Sequence, residues 1–207
     1  MKAIWQLYHA ELSEEQVNNI IKECEYYHPA KAEVGLGKDG KQKDKVRKSE
    51  VRWVDVNDVN SKFIMDILYF YTNLANRTAF GVDIKNIWDV QYTKYKGKEK
   101  GFYDWHFDTF WGNDSLSDRK LSVTIQLSDS DDYEGGDFII DPQYEAPNKK
   151  DLRKKGTILV FPSVIRHKVE PVTKGERKSL VAWVEGCLLY TSPSPRDLST
   201  SRMPSSA

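Results

Sequence analysis

His106-Phe107-Asp108 is followed by His167, 59 positions after Asp108, and then by Arg177 ten positions later. Two imidazoles and one carboxylate are the ligand set of a facial-triad non-haem iron(II) site, which leaves coordination positions open. In an extended strand, residues i and i+2 point to one face, so His106 and Asp108 are able to share a metal. Arg177 adds a permanent cation whose planar fork of donors suits a carboxylate. A metal with open positions beside a carboxylate clamp is the equipment of an oxygenase with a small dicarboxylate co-substrate. Each residue also has a plainer reading. A strand His is often only hydrogen-bonded in a core, an Asp two residues later is often a turn residue, and a hairpin Arg often makes a surface ion pair worth little. The same ligands also suit zinc.

The elements that must position these groups fall into two halves. Ser13-Glu-Glu-Gln16 is a capping-box pattern, and Val17, Ile20, Ile21 and Cys24 keep helical spacing, which predicts a helix over 14–27. Residues 60–79 carry Phe63, Ile64, Ile67, Leu68, Tyr71 and Leu74 at the same spacing, a second amphipathic helix packed against a sheet. Between them, residues 35–50 are rich in Lys, Asp and Gly, a basic loop read as a solvated excursion, with a substrate-contacting lid as the alternative. From Ile87 onward the pattern turns to short strands, over 89–95, 103–108, 121–128, 137–140, 157–161, 167–170 and 178–184. No helix signal interrupts them. The fold class is therefore mostly β with N-terminal helices, a jelly roll or comparable barrel. Arg177 and Ser179 share a strand face, but Leu180, Ala182 and Val184 are apolar too, so alternation alone leaves the inward face open. Gly135-Gly136 reads as a close backbone turn and Pro162 as the turn before His167.

Four motifs recur in family order: Arg119-Lys-Leu-Ser-Val-Thr-Ile-Gln-Leu-Ser-Asp, Asp132-Tyr-Glu-Gly-Gly-Asp-Phe, Phe161-Pro-Ser, and His167-Lys-Val-Glu-Pro-Val-Thr-Lys-Gly-Glu-Arg177. Over residues 90–186 the chain resembles the prolyl 4-hydroxylase-like, iron(II)- and 2-oxoglutarate-dependent dioxygenases, and among them the PKHD-type hydroxylases. The resemblance implies a double-stranded β-helix (jelly roll, cupin-like) with supporting N-terminal helices. It implies His106, Asp108 and His167 as metal ligands and catalytic centre. It turns Arg177 inward, onto the distal carboxylate of 2-oxoglutarate, with Ser179 assisting. Tyr95, eleven residues before His106, takes the place of a tyrosine that closes the co-substrate pocket, a role Tyr92 could exchange with it. The implied cofactors are Fe(II), 2-oxoglutarate as co-substrate and O2, with ascorbate as a candidate reductant. The implied reaction hydroxylates a prolyl or other amino-acid side chain, in a protein, a peptide or a small molecule, while 2-oxoglutarate is decarboxylated to succinate. A nucleobase or small-molecule oxygenase of the same mechanism, or a non-catalytic metal-binding jelly-roll module, remains open. Arg47-Lys-Ser-Glu-Val-Arg-Trp53 resembles a segment that borders the substrate cleft in relatives. Trp53, Tyr103, Trp105, Phe110 and Trp111 read as either an aromatic substrate mouth or core and shielding residues.

Length and charge set the frame. The 207 residues suit one domain, with 1–80 as a helical support region and 87–186 as a jelly-roll catalytic core. Thirty-one basic residues balance thirty-one acidic ones, so nothing in the charge argues for nucleic acid or an anionic membrane as partner. No apolar run approaches the roughly 20 residues that cross a bilayer, and the apolar start at Met1 is too short for a signal peptide. These point to a cytoplasmic protein; oligomeric state is not legible. Residues 187–207 back-translate into a sequencing-library transposase end and adapter, which reads as a fusion scar and a disordered tail. The alternative, a natural Ser/Pro-rich tail, has similar composition. On the scar reading the native sequence beyond Gly186 is missing, 29 basic face 30 acidic residues, and Cys24 is the only native cysteine, as suits a reducing compartment.

Overall fold

The computed structural model describes residues 3–31, 46–109 and 117–187. In chain order its elements are β1 (Gln6–Tyr8), α1 (Glu14–Tyr26), β2 (Ala30–Lys31), β3 (Arg47–Lys48), β4 (Glu50–Trp53), α2 (Lys62–Ala75), β5 (Asn86–Lys96) and β6 (Phe102–His106). There follow β7 (Ser117–Gln126), β8 (Tyr133–Gly135), β9 (Phe138–Ile140), the short α3 (Lys149–Arg153), β10 (Ile158–Pro162), β11 (His167–Val169) and β12 (Val172–Cys187). They make two antiparallel sheets. The major one runs β1-β10-β7-β12-β5-β4-β2, with β8 on the start of β12; the minor one runs β3-β6-β11-β9. This is the jelly-roll arrangement, a double-stranded β-helix, that the strand-rich half predicts.

The long central strands bury both faces. On one, Leu180, Ala182 and Val184 of β12, Val123 and Ile125 of β7, and Val90 and Tyr92 of β5 pack against Val17, Ile20 and Cys24 of α1 and Ile64 and Leu68 of α2. Fully burying each such branched side chain contributes about 1.5–3 kcal/mol before conformational entropy is charged against it. On the other face, Arg177, Ser179, Val181 and Trp183 of β12 alternate with the core residues and line a cavity towards the minor sheet. Apolar residues on both faces of β12 are what left its orientation ambiguous in sequence.

Both helices form where periodicity places them, with small corrections. α1 starts on the capping box, Ser13 Oγ accepting from the Gln16 N–H and Gln16 Oε1 accepting from the Ser13 N–H. α2 buries Ile64, Met65, Leu68, Thr72 and Ala75. Its stripe is rotated from the predicted one, so Leu74 and Phe70 face outward, 38 % and 62 % exposed. Several pieces went unread: β1, β2, the strands within 47–53, β8, and α3, which interrupts the supposedly helix-free half. Most of the basic loop, residues 32–45, and residues 188–207 of the tail lie outside the described residues. β12 itself runs through Cys187, paired with Ser117. No helix among the described residues is long and apolar enough to cross a membrane.

Candidate metal and carboxylate site

His106 closes β6 and His167 opens β11, and the two are directly paired across the minor sheet. Two residues further along β11, Val169 pairs with Tyr103, three residues back from His106, so β6 carries a bulge at Asp104 and Trp105. A bulge adds one residue to one strand and re-aims the side chains beyond it. Tyr103 and His106 consequently face the same cavity, while Trp105 turns away and carries Arg166 and Lys168 over its ring, at 5.0 and 5.1 Å. The strand expected through residue 108 stops at His106. Asp108 sits in a bend beyond it, where its N–H donates to the Ser163 carbonyl at 3.0 Å. A bulge and a bend, and not simple alternation, bring His106 and Asp108 to one point.

The ligand atoms converge. His106 Nε2 lies 3.6 Å from Asp108 Oδ1, and His167 Nε2 lies 3.5 Å from Oδ2. One ligand atom from each residue falls within 4.8 Å of the others. Both rings are oriented from behind: His106 Nδ1 is 2.7 Å from the Asp104 carbonyl and His167 Nδ1 is 2.9 Å from that of Ile165. A carbonyl only accepts, so each Nδ1 carries the hydrogen, which makes Nε2 the lone-pair nitrogen of the neutral ring, as a metal requires. Ser122 Oγ donates to Asp108 Oδ2 at 2.6 Å and shares a 2.9 Å hydroxyl pair with Ser163. Burial, and then the neighbouring His167, pull His106 down to about 3, so its imidazole is neutral at physiological pH. Burial pushes the Asp108 carboxyl up, but His167, His106 and the Ser122 hydroxyl outweigh it and hold that carboxyl below its usual range. Tyr103 stacks on His106 with ring centres 3.5 Å apart, and Phe161 and Phe138 flank His167 at 4.8 and 5.3 Å.

Arg177 lines the same cavity, only 4 % exposed. Its guanidinium lies 5.7 Å from the centre of the Tyr95 ring, its partner across the β5–β12 ladder. Among the described residues no carboxylate or hydrogen-bond acceptor meets it. A buried cation without a counter-charge is expensive. Such a setting suits an anion, a carboxylate above all. Ser179, 2 % exposed, lies one step along the same face. Tyr92 does not compete with Tyr95: it is on the opposite face, where its hydroxyl donates to Glu25 Oε1 at 3.2 Å.

All six predicted site residues except Tyr92's alternative role thus share one cavity, namely His106, Asp108, His167, Arg177, Ser179 and Tyr95. Of the aromatic mouth, Tyr103 lines it, Trp53 is 48 % exposed and rests on Trp183 at 6.1 Å, and Trp105 faces away. Phe110 and Trp111 lie outside the described residues. Sequence reasoning missed Ser122, although it falls at the inward parity of β7 within the first quoted motif. It also gave Arg47 no contact of its own. Arg47 is 6 % exposed, donates to Gln91 Oε1 at 2.6 Å and covers Tyr103 at 4.4 Å.

Residues 90–185, which hold all six groups, match the family model of the 2OG-Fe(II) oxygenase superfamily. Over that segment the chain is similar to the 2OG-Fe(II) oxygenases. A PKHD-type hydroxylase of Synechococcus sp. is 41% identical over 90 residues, 44% of this chain and 39% of that protein. One from Idiomarina loihiensis is 34% identical over 115 residues, 55% of this chain and 49% of that protein. The chain thus spans half or less of the length of these curated relatives. The fold is shared more widely. A Pseudomonas putida prolyl-4-hydroxylase superposes with a TM-score of 0.65 at 19% identity, covering 88% of this chain and 92% of that one. A Trichoplax adhaerens prolyl hydroxylase, in complex with a hypoxia inducible factor peptide fragment, gives 0.69 at 16% identity, covering 87% and 83%.

Proposed function

We propose that this oxygenase domain is an Fe(II)- and 2-oxoglutarate-dependent dioxygenase that hydroxylates a prolyl or other amino-acid side chain, releasing succinate from its co-substrate. The observation that carries the reading is the buried guanidinium of Arg177, unpartnered among the described residues, opening onto the same cavity as the converged His106, Asp108 and His167. A structural zinc site has no use for such a cation, whereas a metal-chelating dicarboxylate has.

In this assignment His106 and His167 offer Nε2 and Asp108 offers a carboxylate oxygen to iron(II). Iron with 2-oxoglutarate and O2 supplies the oxidising chemistry, with ascorbate as a reductant of strayed metal; the chain's part is to bind, orient and exclude water. Arg177 holds the far carboxylate, Ser179 assists it, and Tyr95 closes the pocket around it. Phe138, Phe161 and Val181 give the cavity apolar walls. No side chain has to take or give a proton at the reacting carbon. A peptide substrate is favoured because two structural neighbours are named prolyl hydroxylases and one of them was captured with a peptide. The balanced overall charge supports that choice over a nucleobase, which would bring phosphates. Residues 1–186 are read as one such domain, 87–186 being its catalytic core, in a cytoplasmic protein, and 187–207 as adapter-derived.

Anaerobic absorbance titration with Fe(II) and then 2-oxoglutarate tests this. A weak visible charge-transfer band that needs both additions and vanishes in His167→Ala is expected. A folded sample that stays colourless with both ligands would sink the assignment, and stoichiometric metal binding without succinate release across a broad peptide panel would favour a non-catalytic module.

A further inference from the structure

The short helix α3 ends on Arg153, a residue with no place in the reaction. Its guanidinium is nonetheless heavily engaged. Nη1 donates to the Gly135 carbonyl at 2.7 Å and to Asp137 Oδ1 at 2.9 Å. Nη2 donates to the carbonyls of Tyr133 at 2.9 Å and Ser130 at 3.1 Å, and the Arg153 guanidinium carbon lies 4.1 Å over the Tyr133 ring. Every acceptor belongs to the stretch 130–137. One fixed planar fork therefore pins a loop that has two consecutive left-handed residues, Gly135 at φ 71° and Gly136 at φ 67°.

That loop is what touches Arg177. β8 pairs with the start of β12, Tyr133 opposite Gly175, two residues before Arg177. A Cβ placed on Gly136 would lie 3.2 Å from Arg177 Cδ and 3.3 Å from Tyr133 Cε2, so loop, ring and arginine stem are in close packing. Tyr133 and Tyr95 share one buried cluster, and the Tyr133 hydroxyl accepts from Gln126 Nε2 at 3.1 Å. A second, small cavity lies behind Arg177, walled by Tyr133, Gly136, Phe138, Leu152 and Arg153. Arg153 also lines the open surface groove on the other side, beside Ser130 and Glu134. It stands between that groove and the back of Arg177.

We propose that Arg153 is a positioning residue for the co-substrate: it pins the loop 130–137 against the stem of Arg177 and keeps water from behind it. Among the described residues Arg177 has no polar partner to fix it, so its aim depends on this packing. The inference rests on the proposed function, because it presumes that Arg177 receives a carboxylate. Loss of the fork frees the loop, lets Arg177 swing into the rear cavity and hydrates a pair that depends on a dry setting.

Calorimetric titration of the full chain, loaded with Mn(II) in place of iron, with 2-oxoglutarate separates the possibilities. R153A is expected to weaken 2-oxoglutarate binding roughly tenfold or more, the scale on which outer-shell partners act, with Mn(II) affinity unchanged. R153K keeps a charge over Tyr133 but cannot reach four acceptors, and should fall between. R153A combined with R177A should bind no more weakly than R177A alone, because the first acts through the second. Parent-like binding by R153A, or additive losses in the double variant, would overturn the proposal. Should R153A not fold, R153K decides: weakened binding supports the proposal, unchanged binding ends it. A parent chain that binds Mn(II) but no 2-oxoglutarate removes the functional reading and this one together, whereas equal binding by parent and variants removes this one alone.

Discussion

At the scale of single residues, the site depends on groups that hold other groups. Arg177→Ala removes the buried cation that the proposed function sets against the co-substrate carboxylate, and a hydrogen bond to a charged group is worth about 1.5–3 kcal/mol. The 2-oxoglutarate requirement should rise roughly ten- to 150-fold while metal affinity stays put, a split that parallel titrations read directly. Ser122→Ala leaves every ligand in place but takes the 2.6 Å donor from Asp108 Oδ2. Metal affinity should then drop about 10–100-fold, the usual effect of losing an outer-shell partner, and unchanged affinity by competition with a metal indicator would refute that role. The candidate ligands were legible because their chemistry is rare in combination. Ser122 was not, since nothing in its type marks a serine that will meet a carboxylate 14 positions back. Only the parity of β7, known once Arg177 is placed inside, singles it out.

At the scale of elements, local signals worked where they were local. The capping box of α1 is formed as read, both reciprocal bonds present. Ser13→Ala should therefore cost about 1 kcal/mol, or about 2–4 °C in melting temperature for a chain of this length. A melt unchanged within error would mean the first turn is held by packing instead. The register of the strands was less legible. The bulge at Asp104 and Trp105 inverts which aromatic faces the cavity, and it exists because β6 must match β11, a strand some sixty residues away. No window of sequence contains both. α3 was invisible for a different reason: five residues, Lys149–Arg153, are too short to show a period.

At the scale of the molecule, protonation of the buried site works against the fold. With metal chelated, His106 is neutral in the folded chain down to about 3 but titrates near 6.5 when unfolded. Its folded pKa is depressed, so the unfolded state takes up the proton first. Stability is full above about 6.5 and should decline as pH falls from there towards 3, by at most about 1.4 kcal/mol per pH unit for this one group. Asp108, also held low, acts in the same direction below its ordinary range. Denaturant midpoints of chelated protein between pH 7 and 4 measure this, and His106→Phe should flatten the slope.

The division of labour between the two sheets has one more consequence. His106 and His167 belong to the minor sheet, built from strands of two to five residues, whereas Arg177, Ser179, Tyr95 and Ser122 belong to the long strands of the major one. Metal and co-substrate together would bridge the two like a bolt through a clamshell. The lighter shell has few ladder bonds of its own and should breathe when the bolt is out. Amide hydrogen exchange should then slow on loading chiefly in β6, β9 and β11, while the centres of β7 and β12 hardly change, so that the thin half of the fold reports whether the site is filled.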